Sequence, residues 1–325
     1  MKNWIKQVIR IGLVTSYCMS LAAAAQSYPT RAITVTTPTA AGGGTDIVAR
    51  IVAQKIAPLL GQPIVISNKP GAGGLIGNQA MLREPNDGYS LFLTANSNQL
   101  IVPWIYKDVN FDPIKDYEPV ATVGVVPYVL VVNPSFPAST FDEFITEIRN
   151  NPGKYHYGSG GSGTINHLMA EMVAQRVGTQ LEHVPYRAVV SAITDLLGGQ
   201  IPILFTTLNS VSEHIKTGKL RALVVGSATR LPTLPDVPTV KESFPDFFVT
   251  DMWVALYAPK GTPRNVIDTL HDAVRQAMED PDLVQRFETL GMSVMKDGPD
   301  ELARRQANDY QQWEAIVKSV GATAQ

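Results

Sequence analysis

Two glycine-rich segments carry the residue types best suited to binding an anion. One is Ala41-Gly42-Gly43-Gly44-Thr45-Asp46, and the other is Ser159-Gly160-Gly161-Ser162-Gly163-Thr164. Each follows a predicted strand and precedes apolar residues at helical spacing. The first N–H groups of a helix lack intrahelical partners and lie at the positive end of its dipole. Because glycine also lets a ligand approach the backbone, we expect each segment to bind a carboxylate of a small organic acid.

The first segment has alternatives. It lacks Gly-Lys-Ser/Thr, so it is not a P-loop, and Gly42-Gly43-Gly44 does not give the Gly-x-Gly-x-x-Gly spacing of a dinucleotide fold. A turn required only for strand-to-helix geometry, with Thr45 or Asp46 capping the helix, stays open. The second segment repeats the arrangement, which suggests two binding edges that face each other.

Polar side chains also follow two other predicted strands. Asn96 and Ser97 come after the strand Tyr89 to Thr94, and Thr206 comes after the strand Ile201 to Phe205. Amide and hydroxyl groups at these positions can hydrogen-bond a ligand oxygen. We therefore include all three in the predicted site.

Two ionisable side chains near the second segment have alternative roles. His167 lies on the helix that follows it, either lining the cleft or serving as a packed or capping histidine. Arg187, after Tyr186, carries a guanidinium that can hold a carboxylate through two parallel hydrogen bonds, or it forms a surface salt bridge. Val189 and Val190 could accept an apolar part of the ligand, or they belong to the core.

Catalytic chemistry is not indicated. No serine has Gly-x-Ser-x-Gly spacing, and Ser162 comes closest, with Thr164 where glycine is required. The five histidines show no spacing suited to zinc. We expect no catalytic residue, no metal and no cofactor.

The first residues read as a secretory signal peptide, residues 1–25. Lys2, Lys6 and Arg10 precede an apolar stretch that ends in four alanines. The only cysteine, Cys18, lies inside it, so the mature protein has no disulfide or thiol chemistry. We expect a periplasmic protein.

Composition argues against a nucleic-acid partner. Without Lys2, Lys6 and Arg10, 24 of the 27 basic residues remain against 29 acidic ones, and no basic block is present. The remaining length predicts two domains. Strand and helix patterns alternate in both, which predicts α/β domains with parallel sheets flanked by helices. Ligands bind beyond the carboxyl ends of such strands.

A series of short motifs in a fixed order makes a family resemblance visible. They are Ala41 to Asp46 with Ala49-Arg50, Asn68 to Gly74 with Gly77, Pro85 to Tyr89, Tyr157 to Gly163 with His167, His183 to Tyr186, Leu197 to Gln200, Gly218 to Leu223, Leu234 to Thr239 with Glu242, and Ala258 to Pro263. With these motifs, the chain resembles the extracytoplasmic solute receptors of the tripartite tricarboxylate transporter family.

The resemblance implies a two-domain periplasmic binding protein of type II, a Venus flytrap with two hinge crossings, near Tyr128 and Trp253. Domain 1 would comprise residues 26–125 and 251–325, and domain 2 residues 126–250. The ligand would lie in the cleft between the domains. In this family, backbone N–H groups and ordered water at the two glycine segments hold the ligand carboxylate.

The chain departs from the family at two positions. Arg187-Ala188-Val189 replaces a basic residue followed by glycine and serine, which puts a backbone contact at Ala188 in doubt. Many members have aspartate where this chain has Thr206. Since an ammonium group needs an acidic partner when buried, we predict a di- or tricarboxylate without an amino group, aliphatic or aromatic.

The predicted function is a monomeric periplasmic receptor that captures this carboxylate by hinge closure and delivers it to membrane permease subunits. One alternative is a receptor whose bound form is read by a membrane sensor kinase. Another is a periplasmic hydrolase, which the missing nucleophile disfavours.

Overall fold

The computed structural model describes residues 28–248 and 251–322. The predicted signal peptide and Cys18 lie outside these residues. The described chain forms two sheets, one of six strands and one of five, each flanked by helices. The α/β prediction is confirmed in this respect.

The six-stranded sheet has the order β11-β4-β10-β3-β1-β2. Its strands are β1 (Ile33–Thr37), β2 (Ile64–Asn68), β3 (Ser90–Ala95), β4 (Tyr117–Val126), β10 (Met252–Pro259) and β11 (Ser293–Val294). Strand β1 pairs in parallel with β2 and β3, but β10 pairs antiparallel with both β3 and β4. The predicted all-parallel sheet is therefore mixed, because β4 and β10 are not joined to their neighbours by strand–helix–strand units.

The five-stranded sheet has the order β7-β6-β8-β5-β9. Its strands are β5 (Tyr128–Val132), β6 (His156–Ser159), β7 (Glu182–Pro185), β8 (Ile203–Thr207) and β9 (Arg221–Val225). Strand β6 is parallel to β7 and β8, whereas β5 is antiparallel to β8 and β9.

The helices cover the faces of these sheets. They are α1 (Gly44–Leu60), α2 (Leu75–Met81), a π-helix (Ser97–Ile101) that continues as α3 (Val102–Ile105), α4 (Phe141–Asn150), α5 (Ile165–Val177), α6 (Val189–Leu197), α7 (Leu208–Lys216), α8 (Val240–Ser243), α9 (Arg264–Ala277), α10 (Pro281–Thr289) and α11 (Pro299–Val320). Most were predicted from apolar periodicity to within a few residues.

The chain passes between the sheets at two places. Pro127 alone separates β4 from β5, and residues 226–251 connect β9 to β10. Both places agree with the crossings expected near Tyr128 and Trp253. The limits of the two domains as independent units stay a prediction.

Helix α11 packs against elements of both sheets. Its Trp313 and Val317 belong to the same buried cluster as Leu168 and Val173 of α5. At its end, the Ser319 carbonyl accepts a hydrogen bond from Gln175 Nε2 at 3.2 Å. The C-terminal helix thus bridges the two halves.

Candidate ligand-binding site

A cavity of about 290 Å³ lies between the two sheets. The five-stranded side contributes mostly polar residues to its lining, namely Ser162, Thr164, Asn166, Thr206 and Thr207. The six-stranded side contributes mostly apolar residues, namely Ile101, Val102, Ile105, Tyr106 and Met252. The cavity therefore has one polar and one apolar side.

The second glycine segment opens helix α5 into this cavity. Gly161 and Gly163 adopt left-handed φ values of +119° and +77°, which favour glycine. Their N–H groups are already bonded, Gly161 to Ser159 Oγ at 3.0 Å and Gly163 to His167 Nδ1 at 3.1 Å.

The N–H groups of Ser162, Ile165 and Asn166 lie at the cavity and are still available. No hydrogen bond among the described residues uses them. Because α5 is 13 residues long, these groups lie at the positive end of a full helix dipole. This arrangement can bind an anion without a cationic side chain.

A partly buried network of side chains supports the second glycine segment. Ser159 Oγ lies 2.6 Å from His183 Nε2, and the ring of His183 stacks on that of His167 at 4.2 Å between centroids. The Tyr157 hydroxyl donates to Glu171 at 2.5 Å. His167 is buried and is not among the residues that line the cavity. It holds Gly163 in place, as a packed and capping histidine does.

Burial keeps both histidines neutral. Desolvation, reinforced by the neighbouring His167, lowers the pKa of His183 to about 4. Desolvation also lowers the pKa of His167, although Glu171 opposes the effect. A neutral His167 can accept the Gly163 N–H through Nδ1.

The first glycine segment does not line the cavity. The left-handed turn at Gly42 makes Gly43 the N-cap of α1, without a side-chain capping bond. Thr45 and Asp46, expected as caps, lie in the first turn of the helix instead. Asp46 reaches back from there to accept the Gly42 N–H at 2.8 Å.

Asp46 is itself an anion held at this turn. Its buried carboxylate also accepts hydrogen bonds from Arg50 at 2.9 Å and Asn68 at 2.9 Å. Desolvation opposes ionisation, but the bonds from Arg50, Asn68 and Gly42 together hold the pKa of Asp46 at about 2. The carboxylate of the protein thus occupies one of the N–H groups predicted to bind the ligand.

Some of the remaining predicted residues line the cavity and others do not. Ser97 and Thr206 line the cavity, whereas Asn96 is buried beside it and bonds Ser97 N–H and the Asp251 carbonyl. The Tyr186 hydroxyl donates to Asp195 at 2.7 Å. Arg187 is exposed, and no ion pair or hydrogen bond involves its side chain among the described residues.

Of the eighteen predicted residues, the cavity therefore brings together Ser97, Ser162, Gly163, Thr164 and Thr206. Ala41, Gly42, Gly43, Gly44, Thr45, Asp46, Asn96, Ser159, Gly160, Gly161, His167, Tyr186 and Arg187 lie outside its lining. A ligand role for these residues stays a prediction.

Sequence reasoning missed part of the lining. Asn98 donates to the Gly73 carbonyl at 2.8 Å, and both residues line the cavity. Their signal was present in the glycine-rich turn before α2 and in the amide next to Ser97. The apolar wall from Ile101 to Tyr106 and the Tyr128 ring carry no motif that would have marked them.

The sequence profile of the tripartite tricarboxylate transporter family receptor matches residues 48–322. The chain belongs to this family. Protein BugT of Bordetella pertussis is 35% identical over 92% of each chain.

Solved structures agree with this assignment. One described as a periplasmic transporter is 39% identical, covers 91% of this chain and 99% of its own, and has a TM-score of 0.79. The R. palustris protein Rpa4515, solved with adipate, is 27% identical, covers 91% and 99%, and has a TM-score of 0.77.

Family membership confirms the resemblance and the class of protein. Members are periplasmic solute-binding receptors of a transporter family. Within residues 28–248 and 251–322, no helix is both long and apolar enough to cross a bilayer.

Proposed function

We propose that this chain captures a small carboxylate in the cavity between its two sheets and delivers it to a membrane permease. The observation that carries this proposal is the set of unused N–H groups of Ser162, Ile165 and Asn166 at the cavity. The periplasmic location rests on the family and on the signal peptide predicted for residues 1–25.

The lining favours a ligand without an amino group. Among the described residues, no side chain that lines the cavity carries a charge. An ammonium group would be buried without a carboxylate partner, which is strongly unfavourable. A carboxylate, in contrast, finds N–H donors and the hydroxyl of Thr206. Adipate in Rpa4515 is a ligand of this chemical class.

A hydrolytic role has little support. Ser159 and His183 are close enough for a nucleophile and its base, but Ser159 is fully buried and does not line the cavity. A substrate bond in the cavity could not reach its oxygen. A receptor read by a membrane sensor kinase would use the same ligand chemistry, so the partner has to be tested separately.

The first test removes one N–H donor and keeps the helix. Ile165 is the first residue of α5, where proline is tolerated, and the extended backbone of Thr164 suits a residue before proline. We expect Ile165→Pro to weaken carboxylate binding about tenfold or more, since a hydrogen bond to a charged group contributes about 1.5–3 kcal/mol. Ligands are found first by native mass spectrometry of freshly purified protein and a thermal-shift panel. Calorimetry then measures the affinity.

Ile165→Ala is the matched control, because it removes the buried side chain and keeps the N–H. Equal affinities of the proline and alanine variants would contradict the proposal. A second arm is independent of the helix. Thr206→Val should weaken binding, and Thr122→Val, which removes an unpaired buried hydroxyl outside the cavity, should not.

A further inference from the structure

We infer that the ligand is a monocarboxylate with an apolar body of five to seven carbons. This inference rests on the proposed function and specifies its substrate class. The sequence led us to expect a ligand with a carboxylate at each glycine segment. We now infer that α5 binds a single carboxylate and that the opposite wall of the cavity contacts the apolar part of the ligand.

The anionic group has a built set of donors. The unused N–H groups of Ser162, Ile165 and Asn166 lie at the start of α5. Thr206 is 1% exposed, lines the same cavity and makes no side-chain hydrogen bond among the described residues. Its hydroxyl can therefore donate a hydrogen bond to a ligand oxygen in the cavity.

The apolar body has a matching surface. Ile101, Val102 and Ile105 form a wall opposite these donors, and Val189 adds an apolar side chain at the start of α6. The wall directly contacts the second glycine segment, since a Cβ placed on Gly163 would lie 2.4 Å from Ile105 Cδ1. A hydrocarbon chain or ring beyond the carboxylate would therefore be removed from water.

A second carboxylate lacks comparable donors. No charged side chain lines the cavity, and Arg187 lies outside the lining. The first glycine segment also lies outside it, and its Gly42 N–H is bonded to the ionised Asp46. On the apolar side, the Asn98 amide already donates to the Gly73 carbonyl.

The apolar side of the cavity also carries one neutral polar group that is available to a ligand. The hydroxyl of Ser97 makes no hydrogen bond among the described residues. It can bind a hydroxyl or carbonyl substituent, but it cannot neutralise a buried charge. The site thus accepts a polar substituent on the apolar body and disfavours a second anion.

The volume of the cavity sets the scale of the ligand. At about 30 Å³ for each water molecule, 290 Å³ corresponds to roughly ten water volumes. An acid with about eight to ten non-hydrogen atoms fills this space. Hexanoate and 4-methylbenzoate are two probes of that size, one aliphatic and one aromatic.

The test compares acids with the same body and one or two carboxylates. Calorimetry measures hexanoate against adipate and 4-methylbenzoate against terephthalate. We expect at least one monocarboxylate to bind ten times more tightly than its diacid. Diacids that bind equally or more tightly in both pairs would overturn this inference and leave the carboxylate receptor intact. If no carboxylate in the panel or among copurified ligands binds, the proposed function fails as well.

A variant can test directly whether the absence of a cationic side chain from the cavity lining causes the preference for a monocarboxylate. Tyr106 is partly exposed on the apolar side and packs against the core with its buried part. Replacing it with arginine or with glutamine removes this packing in both variants, so their comparison isolates the charge. The measured quantity is the ratio of the affinity for adipate to the affinity for hexanoate. We expect this ratio to be at least ten times higher in Tyr106→Arg than in Tyr106→Gln, the neutral control. If the ratio does not change between these two variants, a missing cation does not set the selectivity, and the inference is wrong.

Discussion

The stacked pair of His167 and His183 couples the second glycine segment to pH. Neutral His167 accepts the Gly163 N–H, and His183 pairs with Ser159, whose hydroxyl accepts the Gly161 N–H. The N–H groups of Gly161 and Gly163 are thereby used within the protein and are not available to a ligand. The orientation of the free donors at Ser162 and Ile165 therefore depends on two uncharged rings. Protonation of His167 at Nδ1 would remove the acceptor of the Gly163 N–H, and protonation of His183 would place a charge in this network.

This arrangement predicts a loss of stability in mild acid. The pKa of His183 is about 4 in the folded protein against an ordinary value of 6.5, so the unfolded chain binds the proton first as the pH falls. The contribution is complete above pH 6.5 and is lost between pH 6.5 and 4. The pKa of Asp46 acts in a separate window, below its ordinary 3.8. Burial raises the pKa of Asp251 to about 6, so the folded protein binds that proton first as the pH falls, which opposes the decline in the same window. The contribution of His183 is therefore obtained by comparing melting temperatures of variants at steps across pH 7 to 4.

Substitution of His183 measures how much of the loss of stability between pH 6.5 and 4 comes from this side chain. We expect His183→Gln to flatten the dependence of melting temperature on pH between 6.5 and 4. His156→Gln, at an exposed position on the neighbouring strand β6, should retain the dependence of the unmodified protein. Identical slopes in the two variants would assign the pH dependence to other groups.

Single residues differ in how far the sequence determined their place. Ser162, Thr164 and Thr206 were predictable, because a residue near the carboxyl end of a strand or at the start of a helix lies at the sheet edge whatever its neighbours are. Asp46 was not, because its bonds to Gly42, Arg50 and Asn68 depend on the exact turn. A glycine-rich turn can bind an external anion or one of its own carboxylates, and the pattern alone does not distinguish them.

At the scale of elements, α2 carries the turn that lines the cavity. Gly77 of α2 lies against the end of β1, and a Cβ there would be 2.8 Å from Pro38 Cβ and 2.9 Å from its Cα. We expect Gly77→Ala to push the helix outward, to destabilise the fold by about 1–3 kcal/mol, and to weaken binding by displacing Gly73. Urea unfolding and calorimetry measure the two effects.

Gly198→Ala is the matched control for this change. Gly198 has an ordinary φ of −77°, and a Cβ there would meet its nearest neighbour at 3.5 Å. Its stability should change by less than about 0.5 kcal/mol. A Gly77→Ala variant as stable as the control would show that α2 is free to adjust.

Elements also differ in predictability. The helices and the short strands followed from periodicity, but β4 did not, since Pro119 and Gly124 interrupt its pattern. Its partner β10 lies more than a hundred residues away in the sequence, so pairing and direction depend on tertiary structure. Gly124 is required there by packing, because a Cβ would lie 2.9 Å from Phe287.

At the scale of the whole molecule, two features have opposite effects on the relative motion of its two halves. The crossings at Pro127 and at residues 226–251 would let the halves rotate, as in hinge closure around a ligand. Helix α11 restrains that motion, because it packs on α5 and bonds Gln175 through Ser319. The contact of Ile105 with Gly163 joins the halves across the cavity. We therefore expect a closure of limited amplitude, centred on the cavity.

Paired labels can measure this closure. Cys18, in the predicted signal peptide, is the only cysteine in the sequence, so introduced cysteines would be the only thiols of the mature protein. Ile76 is 49% exposed beside the six-stranded sheet and Val190 is 69% exposed beside the five-stranded sheet. Spin labels at Ile76→Cys and Val190→Cys should move closer when a ligand found by calorimetry saturates the site. Labels at Ile76→Cys and Leu59→Cys, both beside the six-stranded sheet, should keep their distance. If calorimetry shows binding while both distance distributions stay fixed, the receptor binds without closure, and a permease would have to recognise the ligand through the open cavity.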